Sequence, residues 1–211
     1  MKYGIALIPE ESFIDICIKY QNELKKLFPD LRPALAHDTN LPHITIFQGT
    51  WKNLDYARIL KEISDQEEFK SLKSVKISDF QIIDDRWLFL NVADKKGFLQ
   101  KIHEFTYSQI KEFIDLSALN QKETDYYTPK QKEYFAKYGY RFAFDLYIPH
   151  FTLGRIENIN QDQALIIKNF IQNFLKNNKL SSISIDRVCY HELGDAGSFA
   201  RQIICNKTKT I

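Results

Sequence analysis

An α+β fold in two related lobes is predicted by three observations. The same short pattern, aliphatic-Pro-His-x-Thr-aliphatic, occurs once in each half of the chain, as Leu41-Pro42-His43-Ile44-Thr45-Ile46 and as Ile148-Pro149-His150-Phe151-Thr152-Leu153. Each half then runs in one order: motif strand, helix, strand, strand. The chain of 211 residues has 44% hydrophobic content and is rich in rings, with 16 Phe and 11 Tyr, enough for a substantial core. No low-complexity stretch or clear linker divides it, so residues 1–211 are taken as a single domain.

The elements come in this order. Residues 3–8 are a short apolar run, read as a buried strand. Phe13, Ile16, Tyr20, Leu24 and Leu27 recur at helical spacing over 10–28, and Pro29-Asp30 ends that helix. A polar loop leads to the first motif strand, about 43–48, closed by Gly49. Asn53 is placed as the cap of a short helix to residue 63. Residues 75–83 and 87–92 are strands joined by the turn formers Asp84-Asp85-Arg86. In the second half a long helix is predicted over 96–116 and a short one over 129–138. The second motif strand is placed at about 147–156, a helix at 161–176, and strands at 182–191 and 199–205, joined through Gly194-Asp195-Ala196-Gly197.

The charge balance narrows the partners. Twenty-nine basic against 27 acidic residues leave a net charge of +2, too little to coat a long nucleic acid by charge alone. A small phosphate substrate in a local basic cleft fits. No stretch approaches membrane-spanning length, and the N-terminal apolar run is too short for a signal peptide. Cys17, Cys189 and Cys205 are odd in number and widely spaced, without a Cys-x-x-Cys pattern, so reduced thiols and a cytoplasmic location are expected. No obligate protein partner is evident, and a monomer is expected.

The chemistry lies in the repeated motif. With five His, six Pro and nine Thr, a Pro-His-x-Thr is expected roughly 0.006 times by chance, and twice roughly 0.00002 times. One copy alone reads best as a core-strand histidine; two copies with matching flanks do not. Alternation along a strand puts His43 with Thr45, and His150 with Thr152, on one face each. Two imidazoles and two hydroxyls suit a phosphodiester: one His takes a proton, the other gives one, and the hydroxyls hold the phosphoryl oxygens. An imidazole pKa near 6.5 lets one neutral and one charged ring coexist at neutral pH. Which is the acid is left open. Two histidines without a carboxylate or cysteine companion are too few for a usual zinc site, so neither metal nor cofactor is expected.

With these motifs, 107 positions apart and the second continuing as Leu153-Gly154-Arg155, the chain resembles the two-histidine (2H) phosphoesterase superfamily, which includes bacterial 2′-5′ RNA ligase-like proteins and cyclic nucleotide phosphodiesterases. The resemblance covers the order of elements along most of the chain; its specific content is the two motifs. It implies a bilobal α+β fold with a pseudo-twofold axis, antiparallel sheets with helices outside, and a central cleft carrying both motifs. It also implies metal-independent chemistry on 2′,3′-cyclic phosphates or 2′-5′ linkages of a nucleotide or short RNA. Two other functions are carried beside it: a hydrolase of cyclic or 2′-5′ signalling oligonucleotides, and a non-catalytic nucleotide-binding module.

Other residues have two readings each. Alternation puts Arg155 on the face opposite His150 and Thr152, so it either reaches the phosphate from the strand end or makes a surface ion pair. Phe47 floors the cleft or belongs to the core, the commoner role of a strand Phe. Between residues 120 and 147, Tyr126, Tyr127, Tyr134, Tyr138, Tyr140, Phe142, Phe144 and Tyr147 interleave with Lys122, Lys130, Lys132, Lys137 and Arg141. These rings either stack on bases, with Tyr126, Tyr127 and Tyr147 the named candidates, or pack a loop onto the second lobe. His37 either borders the cleft or is a solvated loop residue, the latter favoured; His103 is placed at a helix surface, and His191 has no motif context. Asp84-Asp85 is read as a turn rather than a carboxylate pair.

Overall fold

The computed structural model describes residues 2–119, 124–178, 180, 182–194 and 197–207. Lys122 of the aromatic segment, and Asp195 and Ala196 of the last turn, lie outside the described residues. Among the described residues there are seven strands and six α-helices: β1 (Tyr3–Pro9), α1 (Glu11–Leu27), β2 (Ile44–Gly49), α2 (Tyr56–Asp65), α3 (Glu67–Ser71), β3 (Ser74–Ile83), β4 (Trp87–Ala93), α4 (Phe98–Ile110), α5 (Pro129–Tyr138), β5 (His150–Arg155), α6 (Gln161–Asn177), β6 (Ile183–Leu193) and β7 (Phe199–Lys207). All strand pairings are antiparallel, so the protein is α+β. Among these residues no helix is long and apolar enough to cross a membrane.

Local chemistry sets several boundaries. Thr128 with Gln131, and Asn160 with Gln163, form reciprocal capping boxes at α5 and α6, and Pro129 opens α5 where its missing N–H costs nothing. The predicted cap at Asn53 moves to Asp55, whose carboxylate accepts from the Arg58 amide. The helix predicted to residue 116 ends at Ile110. The chain tightens into a 3-10 turn and bonds backward to the end of β2, with Lys52 N–H donating to Phe113 and Asp115 N–H to Thr50. The second motif strand begins at His150 rather than residue 147, because Phe144–Leu146 form a 3-10 turn and Pro149 cannot donate to a ladder. Asp84 and Asp85 both adopt left-handed backbone (φ 54° and 51°) in the β3–β4 turn, a pairing that Asp tolerates and that suits the strand twist.

The strands pair in a closed circuit, β1–β2–β5–β4–β3–β6–β1, with β7 added on β6. Two links are thin. A single register pair, Ile44↔Phe151, joins β2 to β5, and two pairs, Ser74↔Ser184 and Val75↔Ile183, join β3 to β6. The circuit therefore divides into β2-β1-β6-β7 and β5-β4-β3. These groups do not coincide with the halves of the chain. The first motif strand pairs within the group that holds the last hairpin, and the second motif strand joins β3 and β4 from the first half. Helices show the same exchange: α1 and α6 pack toward β5 and β3, whereas α2 and α4 pack toward β2, β6 and β7.

Register also corrects the cysteine reading. Cys189 and Cys205 face each other across β6 and β7 and are joined as a disulfide, while Cys17 is a buried free thiol. A separation of 16 residues carries no sign of this, because the hairpin register decides which side chains oppose.

Candidate active site

Both motif histidines are held by the residue two before them. The Nδ1 of His43 lies 2.7 Å from the Leu41 carbonyl, and that of His150 lies 2.6 Å from the Ile148 carbonyl. A carbonyl only accepts, so each Nδ1 carries the proton and donates it, and Nε2 is left with its lone pair. The proline between carbonyl and histidine shapes this return, which gives the aliphatic-Pro-His sequence a physical meaning. The rings are nearly buried, 8% and 7% exposed, and both line one cavity of about 420 Å³ together with Thr45 and Thr152.

A bulge in each motif strand redirects the side chains that come after the threonine. In β2 the register against β1 shifts so that Ile46 is the extra residue; in β5 the register against β4 shifts at Leu153. Alternation then inverts. Phe47 leaves the cavity and packs on His103, Tyr107 and Tyr140, so it is core and not the cleft floor. Arg155, which strict alternation sends to the far face, returns to the cavity opposite Trp87, with its guanidinium 5.4 Å from that ring's centre, and its Nε 3.0 Å from Glu157. Gln48 occupies the matching place in β2 and also lines the cavity. Gly154 is required where Phe47 has its counterpart: its φ is +139°, and a Cβ there would meet Leu31 at 2.6 Å.

The carbonyl of each bulged residue is taken by a buried side chain from a helix. His103 on α4 donates Nδ1–H to the Ile46 carbonyl (2.6 Å), and its Nε2 accepts the Phe144 amide (2.9 Å). Gln21 on α1 donates to the Leu153 carbonyl (2.8 Å) and the Pro33 carbonyl (2.7 Å), and its oxygen accepts the Leu35 amide (2.7 Å). The two motif strands are thus braced in the same way by two different residue types. Sequence context places His103 at the surface; it is fully buried, and this contact is the reason.

The cavity wall on the side of β5 is aromatic and cationic. Trp87 and Phe89 line it from β4, and Phe89 stacks on the His150 ring with centres 3.5 Å apart. Of the aromatic segment, Tyr126, Tyr127, Tyr140 and Phe142 reach the cavity. Tyr147 does not. It is buried, stacks on His103, and donates its hydroxyl to the Thr45 carbonyl at 3.1 Å, bridging the thin seam between β2 and β5. Lys2, Arg141 and Arg155 line the cavity, and among the described residues no carboxylate does. His37 lies outside it, paired at the surface with Glu11 and Asp15. His191 is buried beside His43, with ring centres 5.3 Å apart, and stacks on Phe199. The alternation Trp87-x-Phe89 is the available signal for the β4 wall; Lys2 and Gln48 have none.

Burial decides the charge state of these rings. It holds His43 below the ordinary imidazole range against the opposing bond to Leu41. It pushes His150 down to about 3, with repulsion from His43 and Arg141 adding. Hence neither motif ring carries its charge at neutral pH, unlike the coexistence expected from the sequence. His103 is pushed down to about 4 and His191 well below its usual range, again chiefly by burial. The unfolded chain then binds more protons than the native one once pH drops below about 6.5, so stability rises with pH there and is lost on acidification. We expect the unfolding free energy from urea titration to fall between pH 6.5 and 4, by up to about 1.4 kcal/mol per pH unit for each imidazole held neutral, and the midpoint to fall with it. A midpoint constant over that window would show these rings to be hydrated.

No family model matches the chain, and no curated protein matches it.

Proposed function

We propose that this protein is a metal-independent phosphodiesterase of the two-histidine type, acting on a 2′,3′-cyclic phosphate or a 2′-5′ phosphodiester of a nucleotide or short RNA. The observation that carries the reading is the pair of clamped histidines. Each has Nδ1 fixed to the carbonyl two residues back, and each lines the same cavity beside a threonine on its own strand. The matching bulges and helix braces support a pseudo-twofold relation between the motif strands, as a bilobal two-histidine fold requires. A cavity with three cations and no carboxylate among its described lining supports an anionic substrate.

The reaction is built on the tautomers. A neutral Nε2 takes the proton from the attacking water as its oxygen bonds to phosphorus. The other imidazole must be protonated to give a proton to the departing ribose oxygen. Burial alone opposes that charge, and the phosphate anion supplies the compensation, raising the pKa of the ring beside it. Thr45 and Thr152 donate to the non-bridging oxygens as charge builds on them. Ring opening leaves a phosphomonoester, and a 2′-5′ bond is cleaved by the same two transfers. Ligation is the reverse reaction and is disfavoured in water.

Hydrolysis of 2′,3′-cyclic mononucleotides and of a 2′-5′ dinucleotide, with 3′,5′-linked controls and EDTA present, tests this. Turnover of at least one of the first two classes, unchanged by EDTA, is the expected result. A rate lost in EDTA and restored by added metal would overturn the metal-independent mechanism.

A further inference from the structure

Arg141 has the features of a built anion site that the two-histidine chemistry does not use. The residue is 7% exposed, an unusual state for a guanidinium. Its flat faces are covered: the guanidinium carbon lies 4.3 Å from the centre of the Phe142 ring, 4.6 Å from Tyr127 and 5.3 Å from Tyr126. One corner is pinned, with Nη1 donating to Asp84 Oδ2 at 2.9 Å. Asp84 in turn is fixed in the left-handed β3–β4 turn. A guanidinium has five N–H donors, and burying the rest without partners is costly. Yet no nitrogen of Arg141 is among the buried side-chain atoms lacking a partner. Arg141 lines the cavity, which is therefore where its remaining edge opens. Rings on the faces and a carboxylate on one corner leave an edge preset for a bidentate oxyanion.

The position matters as much as the chemistry. Arg141 is near enough to His150 to depress its pKa, but it belongs to neither motif strand and stands among Tyr126 and Tyr127. Its guanidinium carbon lies 4.3 Å from the centre of the Phe142 ring, and that centre lies 6.4 Å from the centre of the His150 ring. We propose that Arg141 forms a second phosphate subsite, so that the preferred substrate is a nucleotide carrying a phosphate at its 5′ position in addition to the diester that reacts. The inference rests on the proposed phosphodiesterase reading. It makes a 5′-phosphorylated or internally linked end the preferred substrate over a bare cyclic nucleoside phosphate.

The test compares kcat/KM for adenosine 2′,3′-cyclic phosphate with and without a 5′-phosphate, in wild type and in Arg141→Gln. Effects of Arg141 on the chemistry or on folding alter both substrates alike and cancel in the ratio. Wild type should prefer the 5′-phosphorylated substrate by roughly 10- to 100-fold, the worth of one charge-assisted contact, and Arg141→Gln should bring the ratio close to one. If the glutamine variant does not fold, Arg141→Lys serves, with an intermediate ratio expected. A wild-type ratio near one, or a preference that survives in the variant, overturns the subsite. If wild type turns over neither substrate, the phosphodiesterase reading fails on these substrates, and calorimetry decides the subsite separately. Adenosine 3′,5′-bisphosphate should then bind at least tenfold tighter than the 3′-monophosphate to wild type only; equal affinities overturn it.

Discussion

Alanine at His43 or at His150 should lower kcat by about 10²–10⁴-fold while cooperative unfolding is retained. In the proposed reaction each ring supplies a proton transfer that water performs poorly, and neither can stand in for the other because each is fixed by its own carbonyl clamp. The double variant should be little worse than the poorer single one, since the two residues act as a unit. Steady-state kinetics on the three variants, with urea unfolding beside them, gives both readouts. Substantial activity in either single variant would contradict acid–base catalysis by the pair.

Leucine at Gln21 should cost stability on the order of 3–5 kcal/mol. It removes three hydrogen bonds and leaves the Pro33 and Leu153 carbonyls and the Leu35 amide unsatisfied, each a loss of about 1–3 kcal/mol before water relieves part of it. The Leu153 carbonyl belongs to the bulged residue between Thr152 and Arg155, so under the proposed reaction kcat should fall as well, through misplacement of the second motif strand. Gln21→Glu keeps the acceptor for Leu35 but sets an oxygen against two carbonyls, and should recover little. A stability loss under about 1 kcal/mol in Gln21→Leu would mean that the bulge carbonyl finds another partner and that the brace is incidental.

These two predictions draw on different layers of the sequence. The histidines are legible because their motif is repeated and because a two-residue period already puts His and Thr on one face. The strands and most helices are legible from periodicity and from caps such as Thr128 and Asn160. The braces are not. Gln21 and His103 sit in ordinary amphipathic helices, and nothing local separates a buried polar residue that bonds to a distant carbonyl from an exposed one. The bulges are equally silent, and they move Phe47 into the core and Arg155 into the cavity, both against simple alternation. The placing of each motif strand in one group with a hairpin from the other half of the chain is a matter of long-range register, which element order alone cannot carry. The charge state of the imidazoles departs from expectation for a related reason: a reference pKa describes a solvated ring, and these are buried, His150 against β4 and the segment after α5, His43 against β6 and β7.

The most direct test of the central claim is opening of a 2′,3′-cyclic nucleotide in EDTA by the wild type beside the His43→Ala/His150→Ala double variant. Conversion to a phosphomonoester by the wild type alone is the predicted result. Equal conversion by both proteins, or by neither on the cyclic nucleotide and the 2′-5′ dinucleotide alike, would contradict the claim that the paired histidines carry out this reaction.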